Sequence, residues 1–272
     1  MAKGNRLLVY AFLIVSAAIT LFPIWWIFAT SLETAARAYS FPGALIPQGV
    51  FSNYRAAWRL APWLHFLLNS TGIGIATTVL ALFTSLLAAY GIVYLPGRFG
   101  KVVLAVILAT MMIPFYSILV PDYLIVRDLG WLNTYTAQIV PFAANGFAVF
   151  MLVQFMRSLP KELRDAARID GIGDWGYLWQ IVVPNLVPAL ATVSIYLFLL
   201  SWNAFLWPLI VTTGPSVQPI QVGLADFLFT ANGTDWTVLS AAAAITTLPV
   251  LILYILAQRQ IVESVSHTGI KG

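Results

Sequence analysis

The chain has 272 residues, of which 60% are hydrophobic and 9% are charged. Soluble domains are about 25% charged, so the composition excludes an ordinary water-soluble domain and predicts an integral membrane protein. The absence of cysteine excludes disulfides and thiolate chemistry, and a net charge of +4 is more typical here of cytoplasmic membrane anchors than of nucleic-acid binding.

Long apolar stretches follow one another along the chain. A helix needs about 20 mainly apolar residues to cross a bilayer, and the stretches are long enough for one span each. The runs are continuous and not alternating, which favours helices over a membrane β-barrel. We predict an all-α polytopic membrane protein with six transmembrane helices, within residues 7–32, 66–95, 102–126, 134–156, 186–213 and 237–258.

The first stretch begins after Lys3 and Arg6, as a secretion signal does. It is too long for a signal core and ends at Trp25 and Trp26 instead of small residues, so we predict a retained helix. With the N-terminus inside, ten Lys and Arg residues lie in inner segments and four in outer ones, which predicts both termini inside. The inner residues include Arg98 and Lys271; the outer residues are Arg37, Arg55, Arg59 and Arg127.

The outer segment between the first two spans contains "SNYRAAWRL", residues 52–60. Ser52 is a suitable cap for a short helix, in which Tyr54 and Trp58 are one turn apart. We expect this helix to lie along the outer membrane surface.

The polar side chains inside the predicted spans are neutral. Asp122 interrupts a stretch only near its outer end, where we expect it to face water, so a carrier driven by a proton or sodium gradient is disfavoured. Hydroxyls, amides and aromatic faces suit a neutral polyhydroxylated solute, although contact between helices is the better explanation for any one of them. The candidate pathway residues are Asn69, Tyr116, Ser117, Asn145, Tyr196, Ser201, Trp202 and Asn203.

Among these, "SWNAFLWP", residues 201–208, concentrates Trp and Asn side chains just before Pro208. Proline inside a span frees a backbone carbonyl and permits a bend, which we also expect at Pro114, Pro121 and Pro249. The outer segment 213–235 is apolar enough for a reentrant or partner-contacting element, and an ordinary interfacial helix explains it equally well.

Catalytic and metal-binding patterns are missing from the sequence. His65 and His267 stand alone, no carboxylate or histidine cluster accompanies them, and "GRFGK" has neither the spacing nor the Ser/Thr of a phosphate-binding loop. We therefore expect no enzyme activity, no metal site and no cofactor bound by this chain.

The most charged stretch, "KELRDAARIDGIGDW" (161–175), lies between predicted spans four and five, on the inner side. Ser158 as cap, Pro160 in the first turn and Gly171 as stop predict a helix over 159–170. A second helix is expected to start at Asp174 and end before Pro184. From composition alone, docking into a cleft of a soluble partner and a solvated loop that holds lipid headgroups are equally good interpretations. The face proposed for docking is Leu163, Ala166, Ala167 and Asp170.

"DAARIDGIGDWGYLWQIVVP" resembles the EAA signature of membrane permeases of ATP-binding cassette importers: E-A-A, three residues, G, nine residues, I, one residue, L-P. Asp165, Ala166 and Ala167 stand at E-A-A and Gly171 at the glycine, with Ile181, Val183 and Pro184 at the closing positions. Asp replaces Glu and Val replaces Leu. "PKELRDAARIDG", "SWNAFLWPLIV" and "QRQIVESVSHTGIKG" resemble the second permease subunit of carbohydrate importers, the group that includes the maltose and glycerol-phosphate systems.

The resemblance implies the fold of a type I importer permease, a single domain over 1–272 with its core at 64–260 and coupling helices at 159–184. It also implies a heterodimer with a second permease subunit, two ATPase subunits that hold ATP and Mg, an extracytoplasmic solute-binding protein and a bacterial-type plasma membrane. The loop 213–235 corresponds to one that reaches toward the binding protein. The implied coupling residues are Glu162, Asp165, Ala166, Ala167, Asp170 and Gly171.

We therefore expect a permease subunit that moves a sugar inward. A glycerol-phosphate substrate is the main alternative, although an anionic solute should require Arg or Lys within the spans. An autonomous secondary carrier and a membrane-embedded enzyme are more distant alternatives.

Overall fold

The computed structural model describes residues 3–40, 46–94, 99–230 and 235–269, and helices dominate these ranges. Arg98 and Lys271, two of the residues predicted inside, lie outside the described residues. The helices are α1 (Lys3–Ser31), α2 (Ala35–Ala38), α3 (Ser52–Leu60), α4 (Trp63–Tyr94), α5 (Phe99–Thr110), α6 (Phe115–Asp128), α7 (Tyr135–Ile139, continued by a 3₁₀ turn, Val140–Phe142), α8 (Gly146–Arg157), α9 (Glu162–Ile169), α10 (Asp174–Asn185), α11 (Val187–Trp202), α12 (Leu206–Val211), α13 (Ile220–Thr230) and α14 (Trp236–Gly269).

Within the described residues, three helices are each long and apolar enough to cross a membrane: Leu8–Ser31 of α1, all of α4 and Trp236–Leu256 of α14. Three bent pairs pass the same test, which raises the number of spans to as many as six. Most side chains between positions 8 and 22 of α1 are exposed although they are apolar, as expected of a helix surrounded by lipid or by a partner. The predicted helical membrane fold is confirmed.

Two of the predicted apolar stretches, 102–126 and 134–156, are broken in the structure, and a third bend lies at residue 186, where the predicted stretch 186–213 begins. α5 and α6 meet at 95°, α7 and α8 at 42°, and α10 and α11 at 80°. The first break lies at Pro114, which has extended backbone and no N–H to continue a helix, so the bend expected there is confirmed. Pro121 and Pro249 instead lie inside helices that the structure describes without a break.

The chain divides into two compact units, residues 1–64 with 223–251, and residues 65–222 with 252–272. In the first unit, the Asn53 side chain donates hydrogen bonds to the carbonyl oxygens of Ser31 (2.9 Å) and Glu33 (2.7 Å), which ties the end of α1 to α3. The predicted helix 52–60 is confirmed, but Ser52 is its first residue and not its cap, because Phe51 precedes the helix without a side-chain hydrogen bond.

The core of the second unit is built around α8. Leu152 and Val153 have no exposed surface, and Met156 has 1%. These side chains pack in one cluster with residues of α4, α10 and α11. α4 approaches α11 closely at Gly74, where a β-carbon would lie 2.8 Å from the ring of Phe198. Close packing in this cluster thus holds together α4, α8, α10 and α11.

Candidate functional site: the EAA segment and an uncharged cavity

Residues 161–185, named here the EAA segment, form α9, a tight turn and α10. α9 begins at Glu162, so the predicted start at 159 and the predicted cap at Ser158 are wrong. Ser158 instead ends α8, and its hydroxyl donates to the Phe155 carbonyl oxygen at 2.7 Å. Two acidic residues, Glu162 and Asp165, occupy the first turn of α9, where the positive end of the helix dipole favours them.

The predicted stop at Gly171 is confirmed, and its geometry explains the glycine. Gly171 has a φ of +75°, in the left-handed region that residues with a β-carbon disfavour. Its N–H bonds the Arg168 carbonyl at 3.1 Å, and the N–H of Ile172 bonds the Ala167 carbonyl at 2.8 Å. This pair of bonds is a Schellman motif, which satisfies carbonyls that a helix end leaves free.

The outward face of α9 differs from the predicted one. Ala167 is 2% exposed and belongs to the chain's own core, and Leu163 is half-buried, so neither lies on an open docking face. The burial follows from the turn at Gly171, which brings α10 against that side of α9. The residues that share the exposed side have the spacing i, i+3, i+4, i+7: Glu162, Asp165, Ala166 and Ile169, the last of them 86% exposed.

Arg164 anchors α9 to the end of α4. Its guanidinium donates to the carbonyl oxygen of Tyr94 at 2.6 Å and lies 5.2 Å from the centre of the Tyr94 ring. It also forms an ion pair of 3.5 Å with Asp174, at the start of α10. Tyr94 is the last residue of α4, and its carbonyl would otherwise be one of the free acceptors of a helix end. One side chain therefore joins three helices.

Three tyrosines extend this anchor. The Tyr94 ring packs edge-on against Tyr177 of α10, with centroids 5.3 Å apart, and its other neighbour, Tyr90, lies at 5.0 Å. The Tyr90 hydroxyl donates to the carbonyl oxygen of Asp174 at 2.8 Å. Sequence reasoning missed these residues. Two tyrosines one turn apart at the end of an apolar stretch were the available signal.

α10 starts at Asp174, as predicted, and continues one residue beyond Pro184 to Asn185. Its middle, Tyr177–Val182, is a π-helical turn, a rare form that is frequent at functional sites. Trp175 and Trp179 are 64% and 37% exposed, and their rings lie 5.7 Å apart. An aromatic pair and an acidic helix face thus point away from the chain at the EAA segment.

The second candidate site is a cavity of about 580 Å³ in the unit that contains residues 65–222. Side chains from α4, α6, α7, α11 and α12 contribute to its wall, as do the breaks between α7 and α8 and between α11 and α12. Among the described residues that line it, none is charged. Four of the eight predicted pathway residues lie in this wall: Tyr116, Asn145, Ser201 and Asn203.

Two of these four residues, Asn145 and Asn203, form hydrogen bonds to the backbone through their side-chain amides. The Asn145 side chain accepts a hydrogen bond from the Ala148 N–H at 2.9 Å and so caps α8. Asn203 follows the last residue of α11, and its amide donates to the Leu199 carbonyl at 2.8 Å. Each amide keeps further hydrogen-bonding capacity, because an Asn side chain carries two N–H donors and two acceptor lone pairs.

The other four predicted residues lie outside the cavity wall. Trp202 is 2% exposed and stacks on Phe198, with ring centroids 5.7 Å apart. Tyr196 packs on Phe147 at 4.6 Å, and Ser117 is exposed in the first turn of α6. Asn69 is buried, and its amide donates hydrogen bonds to the backbone of the loop 215–220.

Aromatic rings form one side of the cavity. Trp207 meets Phe142 and Phe115 edge-on, with centroids 6.0 Å and 6.4 Å apart. The Trp207 indole N–H donates to the Ala137 carbonyl at 2.8 Å, which fixes the ring. Trp207 belongs to the "SWNAFLWP" cluster that the sequence indicated, whereas Phe115 and Phe142 come from α6 and the end of α7.

Side chains of α4 and α7 hold the backbone of residues 215–220, named here the clamped loop. The Asn69 amide donates to the carbonyl oxygens of Ser216 (3.2 Å) and Gln218 (2.9 Å), and the Tyr135 hydroxyl donates to Asn69 at 2.7 Å. The Ser70 hydroxyl accepts from the Ile220 N–H at 2.7 Å. Asn69 therefore acts as structural support in this state.

Comparison with known proteins identifies the family. Residues 81–267 match the binding-protein-dependent transport system inner membrane components. The chain belongs to this family. The predicted resemblance to permeases of ATP-binding cassette importers is thereby confirmed, and the EAA segment and most of the cavity wall lie within the matched residues.

Similar proteins include two transport permeases and one solved structure. The sulfoquinovosyl glycerol transport system permease protein of Agrobacterium fabrum is 34% identical, over 93% of this chain and 89% of its own length. The diacetylchitobiose uptake system permease protein of Streptomyces coelicolor is 32% identical, over 95% and 86%. A chain in the crystal structure of a bacterial ABC transporter involved in the import of the acidic polysaccharide alginate has 26% identity and a TM-score of 0.81, with 95% of this chain and 98% of that chain covered.

Proposed function

We propose that this chain is the permease subunit of an ATP-driven importer that moves a neutral saccharide inward across the plasma membrane. The observation that carries the proposal is the family match over residues 81–267, which includes the EAA segment and most of an uncharged, aromatic-lined cavity. In this proposal the chain pairs with a second permease subunit, and its two termini lie on the cytoplasmic side.

The lining of the cavity supports a neutral solute. Aromatic rings pack on the C–H faces of a sugar ring, and amides and hydroxyls bond its hydroxyl groups. An anionic solute in a water-poor site requires a cationic partner, and the described residues that line the cavity include no Lys, Arg or His. A sugar such as the diacetylchitobiose named for the Streptomyces relative fits this lining better than a glycerol phosphate.

The EAA segment supports coupling to an ATPase. α9 presents Glu162, Asp165 and Ile169 outward, while Arg164 ties its inner side to α4 and α10. A partner that moves α9 on ATP binding would therefore move the ends of two longer helices with it. ATP and Mg belong to that partner ATPase, and this chain converts its movement into alternating access of the cavity.

The family description, binding-protein-dependent transport, supports an extracytoplasmic binding protein as the source of solute. In this proposal the clamped loop and α13 lie on the outer side, where the binding protein docks.

The first test is purification of the tagged chain in mild detergent from its native membrane, followed by mass spectrometry and an ATPase assay. We expect an ATP-binding subunit and a second permease to co-purify, with hydrolysis that vanadate inhibits. Recovery of the chain alone, without ATPase activity, would contradict the importer and favour an autonomous carrier.

The second test concerns the solute. The complete importer in proteoliposomes, with its binding protein, is expected to take up radiolabelled N,N′-diacetylchitobiose or maltose in an ATP-dependent manner. Uptake of sn-glycerol 3-phosphate in place of both sugars would overturn the neutral saccharide and retain the importer.

A further inference from the structure

Two buried side chains in the cavity wall have an oxygen without a hydrogen-bond partner. Thr77 of α4 is 5% exposed and Gln138 of α7 is 3% exposed, and both line the cavity. Among the described residues, Thr77 Oγ1 and Gln138 Oε1 are shielded from solvent and have no hydrogen-bond partner. Leaving a buried polar atom unpaired is destabilising, so we expect both oxygens to be paired in a working state of the protein.

Hydrogen bonding fixes what Gln138 offers. Its Nε2 donates to the Val217 carbonyl of the clamped loop at 2.9 Å, which orients the amide and leaves Oε1 as an acceptor. A partner for Oε1 must therefore donate an O–H or N–H group, and because Oε1 is shielded from solvent in this structure, that donor reaches it only when the wall of the cavity moves. A flip of the amide would break the bond to Val217, so it does not remove the need for a donor.

Thr77 has a simple way to reach the cavity. A threonine in a helix occupies either of two χ1 rotamers, and a change from one to the other moves its hydroxyl to a different side of the Cα–Cβ bond. In this structure the hydroxyl is covered while the residue forms part of the wall. A single rotamer change is thus the movement by which the hydroxyl would meet a ligand.

The surroundings define the chemistry of that ligand. The same cavity carries the rings of Phe115, Phe142 and Trp207, and none of the described lining residues is charged. A suitable ligand is neutral, presents C–H surface to the rings and carries hydroxyl groups for a buried acceptor. A saccharide ring has all three properties.

We propose that Thr77 and Gln138 form a hydroxyl-binding subsite for the transported saccharide, supplied by this chain itself. The inference rests on the proposed function, because it takes the cavity as part of the solute pathway. It goes further in assigning the hydrogen bonds to two residues that the polarity of the sequence did not single out.

The test uses the complete importer with its binding protein in proteoliposomes, and measures uptake of radiolabelled N,N′-diacetylchitobiose and of maltose. Thr77→Val keeps the shape of the side chain and removes the hydroxyl. Thr78→Val is the matched control, because Thr78 is 7% exposed, also has an unpaired oxygen and does not line the cavity. We expect Thr77→Val to lower kcat/KM for uptake about tenfold, the loss of one hydrogen bond, and Thr78→Val to change it less than twofold.

A second measurement separates contact from support. Monodeoxy derivatives of the transported sugar are compared on the wild type, on Thr77→Val and on Gln138→Met. Removing the sugar hydroxyl that a given side chain binds is expected to reduce uptake by the wild type. The same removal is expected to have no effect in the variant that lacks this side chain, which is the signature of direct coupling. A structural role would lower the uptake of all derivatives by the same factor.

The outcomes distinguish the two proposals. If the wild-type importer takes up neither sugar, the proposal of a neutral saccharide is wrong, and so is the proposed subsite. If the wild type transports a sugar and Thr77→Val matches Thr78→Val, with the same dependence on every hydroxyl, the subsite alone is overturned.

Discussion

The EAA segment and the cavity use polar side chains in different ways. On the EAA segment, Glu162 and Asp165 point outward, and Arg164 joins α9 to Tyr94 of α4 and Asp174 of α10. Asn145 and Asn203 in the cavity wall, and Asn69 outside it, bond backbone groups of the chain itself. The first region is one continuous piece of sequence, and the second is assembled from helices far apart in the chain.

In an apolar helix, a polar side chain therefore bonds unpaired backbone groups first, and only its remaining donors and acceptors are left for a ligand. A break in a helix inside a membrane leaves N–H and C=O groups that water does not reach, and nearby amides and hydroxyls satisfy them. Many of the polar side chains near the cavity are therefore used to hydrogen-bond backbone groups that the helix breaks leave free.

The largest loss of stability is expected for Asn69→Leu. The substitution removes both donors to the clamped loop and the acceptor of the Tyr135 hydroxyl, and leaves buried polar groups unpaired. We expect about 2–3 kcal/mol of destabilisation, measured by thermal unfolding in detergent. If the variant is stable but prefers a different sugar, Asn69 is a pathway residue and does not serve mainly to support the backbone.

A smaller loss is expected for Arg164→Met. The variant keeps most of the aliphatic stem and removes the donor to the Tyr94 carbonyl, while the partly exposed ion pair with Asp174 adds little. We expect about 1–2 kcal/mol and a lower ATPase yield in co-purification. Arg168→Met, an exposed position on the same helix, is the control, and equal effects of the two variants would refute the anchor.

Gly171→Ala tests the turn of the EAA segment. A β-carbon there meets nothing within 4 Å, so the expected cost of about 1 kcal/mol arises from the φ of +75° alone. Gly173→Ala is matched, because that position is equally open and has a φ of −72°. We expect weaker ATPase association for Gly171→Ala only, read by co-purification; the same association for both variants would contradict a role for the turn.

The smallest change in stability is expected for Asn203→Leu. Asn203 is exposed, lines the cavity and bonds only its own helix end among the contacts described, so unfolding should shift by less than about 0.5 kcal/mol. We expect sugar uptake to fall while the complex still assembles. Normal uptake would remove Asn203 from the pathway and leave the cavity to its other residues.

The sequence predictions are most successful where the interactions are between residues close together in the chain. The helix 52–60, the start at Asp174 and the stop at Gly171 depend on neighbours within one or two turns, and the structure confirms them. The cap at Ser158 is wrong, although Ser is a good cap by type. Its hydroxyl bonds back to Phe155 and ends one helix, a choice that composition does not distinguish from starting the next.

The pathway residues illustrate the limit of long-range inference. Tyr116, Asn145, Ser201 and Asn203 line the cavity as their polarity suggested, whereas Trp202 is buried against Phe198. Gln138 and Thr77 line the cavity as well and were not singled out, because a polar residue carries no mark of which helix it will face. Only the packing of α4 and α7 around the cavity makes these two residues candidates.

The sequence alone is sufficient to predict the membrane class, the helical character of the apolar stretches and the EAA segment, because apolar run length and motif spacing are local properties of the chain. The tertiary structure decided which side of α9 is open, where three spans bend and which polar groups remain for a ligand. Those outcomes depend on contacts between distant segments, such as Arg164 with the end of α4 and Gln138 with the clamped loop. Hydrogen-bonding groups shielded from water must find partners, and only the assembled fold determines which partners are within reach.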